Sequence, residues 1–398
     1  MLTARTKDGK KICLGYNYKK ETLLYFRSRE EFFCPVCGEK VVLKLGDQRM
    51  YHFSHKKGGE CRDSYENESI YHMEGKLQLY QWLLRQKIPA ILEFYDQEIR
   101  QRPDIKFTFK NQKYALEYQC SPIAEEIFLK RTSSYVDAGY VPLWILGNKQ
   151  IHQKKNNIFS LSNFHYLFLQ QTVEGSYYLP SYCPEKKLFH LLNSIVSYSI
   201  KNAFAQNRFY SIGQGEIDYL LNPECAYQIN LIQWNSELEK IYMNWVLHPN
   251  PRQNSFLHDI YKHNLNLFLL PPEIGLPVHS SLFIQTSPII WQTYLYLDIL
   301  AKKHPMDIFT VQEVERSFYR RMAKKEIIIR DFPLIKPVNP FLAVMEYLLL
   351  LDKLGIVALK GKMAFQLIRT ISIPQSNRER EEMKKIFFQK YQPMISKQ

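Results

Sequence analysis

The sequence predicts a mixed α+β/α/β chain in three parts. These are a small metal-knuckle module over 1–66, an α-β-β-β-α-β core over 67–150, and a mostly helical region over 158–398. Three observations carry that reading. A close cysteine pair, Cys34 and Cys37, precedes His52, His55 and Cys61. Between 69 and 147 the apolar period switches from helical to alternating and back. Beyond 158 the chain is aromatic and reads mainly at the helical period.

Residues 1–32 read as short strands, with apolar spots at Ile12–Leu14 and Leu23–Phe26. Cys34-Pro35-Val36-Cys37-Gly38 is a tight knuckle, and Lys40–Phe53 alternates around a turn at Gly46-Asp47, a small hairpin. Two close cysteines grip one zinc ion from a turn, and a second pair from a distant segment completes a tetrahedron. The expected ligands are Cys34, Cys37, His55 and Cys61, with His52 as the alternate histidine. Such a zinc is structural, because so short a region can scarcely build its own core. The plainer reading is buried cysteines beside incidental surface histidines. The seven cysteines are odd in number and irregular in spacing, which argues against a disulfide framework.

Ser69–Arg85 reads as a helix through Ile70, Met73, Leu77, Tyr80 and Leu84. Glu68, His72 and Lys76 lie four apart on it, a polar stripe that is either chemistry or a solvated face. A short strand follows near Ile91–Phe94, then a hairpin turning at Asn111-Gln112. That turn sets Asp104 opposite Gln119, Lys106 opposite Glu117, and Ile105, Phe107 and Phe109 opposite Tyr118, Leu116 and Tyr114. One face is apolar and the other carries Asp104, Glu117 and Gln119. Oxygen ligands in that arrangement suit Mg²⁺ or Mn²⁺, which polarises a phosphate oxygen and lowers the pKa of bound water. The bland alternative is the wet face of an ordinary hairpin. Ser121-Pro122 opens a helix over 123–136, Gly139 ends it, and Val141–Leu146 is a buried strand completing a right-handed βαβ unit.

Asn148–Asn157 reads as a linker or exposed loop. Near the end, a helix after Thr310 carries Arg316, Tyr319, Arg320 and Arg321; the apolar helix Phe341–Leu354 follows, then strands Ile356–Leu359 and Met363–Ile368. That order is compatible with a winged helix, and equally with a helical packing module. Arg378–Gln398 reads as an exposed helix. A net charge of +14 points to a polyanionic partner, with nucleic acid the commonest. The 14% aromatic content serves the core and, where exposed, base stacking. No apolar run approaches the roughly 18–20 residues of a spanning helix, and the polar start lacks a secretion signal, so the expected compartment is the cytoplasm.

The order of motifs (knuckle with His52-Phe53-Ser54-His55, helix with His72 and Lys76, Pro103-Asp104, Glu117-Tyr118-Gln119, helix, Trp144-Ile145-Leu146) resembles the competence protein CoiA family, most specifically over 25–147. The resemblance implies a restriction-endonuclease-like core of the PD-(D/E)xK class. Asp104 and Glu117 would be its carboxylates, Gln119 would stand where the wider class has lysine, and Glu68, His72 or Lys76 would complete the site. It further implies action on internalised single-stranded DNA, or branched DNA, during natural transformation, alongside recombination proteins. Glutamine can orient a water but brings no charge. A catalytically weak or inactive DNA-binding recombination accessory is therefore the alternative to a nuclease, and the charge also suits an RNA-associated factor.

Overall fold

The computed structural model describes residues 1–46, 50–56, 61, 68–225, 228–248, 251–335 and 339–395. It comprises two compact units, one of Met1–His152, Leu167–Leu192 and Asn207–Glu224, the other of Gln153–Tyr166, Asn193–Gln206 and Cys225–Gln398.

The first unit opens with β1 (Thr3–Thr6), β2 (Lys11–Cys13), α1 (Lys20–Arg29), β3 (Phe32–Phe33), β4 (Lys40–Lys44) and β5 (His52–His55). The strands form one sheet in the order β2, β1, β3, β4, β5. The expected β4–β5 hairpin is present, pairing Val41 with His55 and Leu43 with Phe53; Asp47, in its expected turn, lies outside the described residues. The apolar spot Leu23–Phe26 belongs to a helix rather than a strand. Glu21 in the first turn of α1 and Arg27 and Arg29 in the last complement the helix dipole, and only Leu23 is fully buried.

Next come α2 (Ile70–Arg85), β6 (Ala90–Leu92), β7 (Ile105–Phe109), β8 (Gln112–Gln119), α3 (Glu125–Asp137) and β9 (Tyr140–Gly147). Their order is helix, three strands, helix, strand. β7 pairs antiparallel with β6 and β8, and β9 lies parallel to β8. Leu2, Phe32, Leu43 and Phe53 share a core with Leu79, Trp82, Ile105, Leu116 and Leu143, so the described residues of 1–61 and 68–150 are packed as one body.

Three local expectations need correcting. The hairpin turns at Lys110-Asn111, with φ of 47° and 62°, and not at Asn111-Gln112. Two positive-φ residues make a primed turn, which asparagine tolerates well. The register therefore slides by two: Ile105 faces Leu116 and Phe107 faces Tyr114, so the expected pairings of Asp104 with Gln119 and Lys106 with Glu117 do not form. A slide of two keeps every side chain on its face, so hydrophobic patterning alone could not detect it. Second, α2 starts as expected, with Ser69 Oγ accepting the His72 N–H at 3.1 Å, but is rotated about its axis. Its buried face is Met73, Gly75, Lys76, Leu79, Tyr80, Trp82 and Leu83, while Ile70 and Leu84 are exposed. Third, α3 begins after Ala124 and not at Ser121-Pro122; Glu125 and Glu126 fill its first turn, and Gly139, at φ 75°, follows its end.

The region from 158 onward is not uniformly helical. Ile158–Ser160, Gln170–Gln171, Tyr177–Cys183, Leu188–Ser197 and Asn202–Ser211 are strands, and Tyr177–Cys183 extends the sheet by lying parallel to β9. Every residue of Tyr177–Cys183 is buried, and a strand covered on both faces shows no alternation to read. Within 148–157, His152–Lys155 is a short exposed strand.

The second unit ends with helix Pro288–Asp298, strand Ile308–Thr310, helices Val311–Ala323 and Leu342–Lys353, and strands Val357–Lys360 and Ala364–Leu367. Ala364–Leu367 lies between the other two strands, the order a winged helix has. The basic face expected on Val311–Ala323 is largely taken up internally: Arg321 pairs with Asp298 at 2.9 Å, Asp259 at 2.6 Å and Glu326 at 2.8 Å, and Arg320 with Asp298 at 3.1 Å. The terminal helix Asn377–Ile395 is not wholly exposed, since Arg380, Phe387 and Ile395 are buried; residues 396–398 lie outside the described residues.

Gly75 makes the packing of α2 on β8 testable. A Cβ there would meet Tyr118 Cε1 at 2.1 Å. Alanine normally stabilises a helix interior by about 1 kcal/mol over glycine. Here overpacking, about 1–3 kcal/mol, exceeds that gain. Gly75→Ala is expected to lower the urea midpoint at unchanged slope.

Candidate functional site

The knuckle is built by backbone geometry first. Cys34 N–H donates to Glu39 O at 2.8 Å and Gly38 N–H to Cys34 O at 3.0 Å, with Gly38 at φ 74°. Val36 N–H points at Cys34 Sγ at 3.4 Å. The sheet brings β5 alongside, and the ligand atoms of Cys34, Cys37, His55 and Cys61 all lie within 4.8 Å of one another. Cys34 Sγ and Cys61 Sγ are 3.9 Å apart, and Cys37 Sγ and His55 Nε2 3.3 Å. The sulfur–sulfur edge of a zinc tetrahedron is about 3.8 Å. The donor set and spacing therefore fit a structural zinc ion. Burial pushes the Cys37 thiol up to about 12 in the metal-free protein, so metal binding there releases a proton. His52 is not in the cluster; its Nδ1 lies 2.9 Å from Met50 O.

The polar stripe of α2 faces inward. Lys76 is 0% exposed, and its ammonium meets Glu68 at 2.6 Å, Glu93 at 2.7 Å and Asp104 at 3.3 Å. Burial alone would lower its pKa, but the three carboxylates outweigh that and raise it. Glu68 also meets the Met1 amine at 2.8 Å. Asp104 lies 3.3 Å from His72 Nε2 and accepts the Tyr118 N–H at 2.9 Å. Burial would raise the Asp104 carboxyl, yet Lys76 and His72 hold it well below the usual carboxylate range.

Glu93 was not foreseen. It sits at φ 48° just past β6, fully buried, and accepts the Leu2 N–H at 2.9 Å and the Thr3 N–H and hydroxyl at 3.0 Å. One carboxylate thus fastens the start of β1, a strand of the knuckle sheet, to the ammonium in α2. Burial works against the Glu93 charge, but Lys76 holds its pKa down to about 2. The available signal was a single acid inside the apolar run Ile91-Leu92-Glu93-Phe94.

The slid register gives Asp104 and Glu117 the next positions along the ladder after Ile105 and Leu116. The Tyr118 N–H held by Asp104 belongs to the peptide directly after Glu117. The side chains nonetheless take separate partners. Glu117 is bound by Arg131 and by the Tyr135 hydroxyl, two residues four apart on α3 that sequence reasoning also missed. Gln119 donates its amide to Ser121 O at 2.9 Å. The structure therefore gathers Glu68, His72, Lys76 and Asp104 around one charge, and sets Glu117 and Gln119 beside them on β8 with their own contacts. Among the described residues, the knuckle is the one group of three or more such ligands close enough to share an ion.

Family models match along most of the chain: the competence protein CoiA N-terminal domain over 15–64, its nuclease-like domain over 68–225 and its C-terminal domain over 229–380. Competence protein CoiA of Bacillus subtilis (strain 168) is 32% identical over 283 residues, covering 70% of this chain and 75% of that protein. No solved structure matches. Among the described residues, no helix is long and apolar enough to cross a membrane.

Two measurements follow from this geometry. Metal analysis of the purified chain is expected to find one zinc per molecule, retained by His52→Ala and lost by His55→Ala and Cys61→Ser. For Glu93, the pKa is depressed on folding, so its stabilisation is present above the ordinary glutamate value near 4.5 and is lost as pH falls towards about 2. Glu93→Gln leaves Lys76 short of one counter-charge; it is expected to destabilise by on the order of 3–5 kcal/mol at neutral pH and to flatten the acid limb of a melting-temperature profile.

Proposed function

Because the chain belongs to the competence protein CoiA family, we propose that it is a Mg²⁺- or Mn²⁺-dependent nuclease acting on internalised single-stranded DNA during natural transformation and recombination. The observation that carries this reading is the bond from the Tyr118 N–H to Asp104, which ties Asp104 to the backbone beside Glu117 within reach of the Lys76 ammonium. The order helix, three strands, helix, strand is compatible with a restriction-endonuclease-like core.

In this reading Asp104 and Glu117 hold the cation. When bound, such an ion polarises the phosphate and lowers the pKa of the attacking water. The remaining work falls to the chain. Lys76 keeps Asp104 ionised and adds positive charge where phosphate charge develops. Glu68 and Glu93 hold Lys76 in place. Gln119 orients water without contributing charge. Arg131 and Tyr135 keep the Glu117 carboxylate in one position, and a cation must compete with that guanidinium.

One observation favours a second reading, a DNA-binding accessory to recombination proteins. Both carboxylates are already neutralised, Asp104 by Lys76 and Glu117 by Arg131, and Gln119 stands where a nuclease of this class carries lysine.

Cleavage of labelled single-stranded and branched DNA with Mg²⁺ or Mn²⁺ separates them. The nuclease reading expects cutting that falls at least about 100-fold in Asp104→Asn and Glu117→Gln, with zinc content unchanged. An inactive parent that still binds these DNAs, as the two variants do, establishes the accessory instead.

A further inference from the structure

We propose that the second unit carries a separate binding groove for the sugar-phosphate backbone of single-stranded nucleic acid. The groove has a volume of about 1000 Å³. It is walled by the turn 198–202, the helix Leu231–Leu247, the stretches 255–256 and 286–294 and the segment 324–328, with Lys154 beside them, all within the second unit.

Its charges are unbalanced. Lys154, Lys201, Lys240, Lys324 and Lys325 line it, against Glu237 and Glu326. Both acids are already engaged. Glu326 pairs with Arg321 at 2.8 Å, and Glu237 with Lys240 and with Lys155 at 3.6 Å. Lys154 reaches only the neutral Asn202 amide oxygen, at 2.7 Å. That leaves Lys154, Lys201, Lys324 and Lys325 with no acidic partner among the described residues, four lysines lining one concavity. A solubilising surface would disperse such charges. Lys324 also suits the C-terminus of the helix before it, but that effect does not account for Lys154 and Lys201 on another element.

The lining chooses the occupant. Ser199, Asn244, Ser255 and Thr286 offer the neutral donors that commonly meet phosphate oxygens. The rings in the wall are sealed: Trp245 is 6% exposed, Phe256 1% and Tyr294 2%. No aromatic face is therefore available to stack a base, which disfavours a mononucleotide site and sequence reading alike. A stiff duplex does not enter a concavity of ligand-pocket size, whereas an extended single strand does. The surface holds a strand by charge and leaves its bases unread. The proposal rests on the reading that the chain handles nucleic acid, and adds to it a site distinct from the carboxylates of the first unit.

The test is fluorescence anisotropy of a labelled mixed-sequence 30-nucleotide DNA with the full zinc-loaded chain, from 50 to 300 mM NaCl and without added magnesium. The triple variant Lys201→Gln, Lys324→Gln, Lys325→Gln is expected to bind about tenfold or more weaker at low salt. The slope of log affinity against log salt should be about 2 shallower, at roughly 0.7 per phosphate contact. A 30-base-pair duplex should compete poorly. Equal affinity and slope in parent and triple variant overturn the groove whatever the cleavage assay shows. Equal competition by duplex overturns its single-strand preference. If the triple variant does not melt like the parent, the pair Lys154→Gln, Lys201→Gln replaces it with the same expected direction.

Discussion

A single buried ammonium organises the first unit. Removing Lys76 from water costs several kcal/mol unless partners answer it. Glu68, Glu93 and Asp104 answer it from three different segments: the approach to α2, the turn after β6 and the bend before β7. Glu93 extends the network into β1 through the Leu2 and Thr3 backbone. Charge pairing thus joins the knuckle sheet, the first helix and the central hairpin at one point. Hydrophobic packing brings those elements together, and the ammonium sets which carboxylates must be ionised once they meet.

That arrangement bears on function in two directions. It keeps Asp104 charged over the whole physiological range, as a cation ligand must be. It also gives each carboxylate a protein cation before any metal arrives, Lys76 for Asp104 and Arg131 for Glu117. A divalent ion or a phosphate must compete with these contacts. Activity gated by substrate and a fold that has given up activity share this ground-state geometry. The difference between them lies in the free energy of displacing Arg131 from Glu117.

The sequence was informative where chemistry is local. The spacing of Cys34 and Cys37 ahead of His52, His55 and Cys61 pointed to the knuckle, because a four-donor site needs little beyond its ligands, and the structure brings His55 rather than His52 to the cluster. Asp104, His72 and Lys76 could be singled out by motif, but their environment could not. The stripe at 68, 72 and 76 reads as a solvated face unless the rotation of α2 is known, and Ile70 and Leu84 misreport that rotation by lying exposed. The hairpin register failed by two residues for a related reason, since alternation constrains parity and not offset. Glu93, Arg131 and Tyr135 act through pairings with Lys76 and Glu117 that span 14 to 18 residues, yet no periodic signal marks them. The strands Tyr177–Cys183 and Leu188–Ser197 were hidden because burial on both faces erases the alternating pattern.

The account's central claim is that Asp104 and Glu117 together accept a hard divalent cation despite their resident partners. Titrating the zinc-loaded chain with Mn²⁺ and following free ion by electron paramagnetic resonance addresses this directly. The account predicts one saturable Mn²⁺ site that disappears in Asp104→Asn and tightens in Arg131→Met, where the competing guanidinium is gone. A parent that binds no Mn²⁺, or a site that survives both Asp104→Asn and Glu117→Gln, would contradict it.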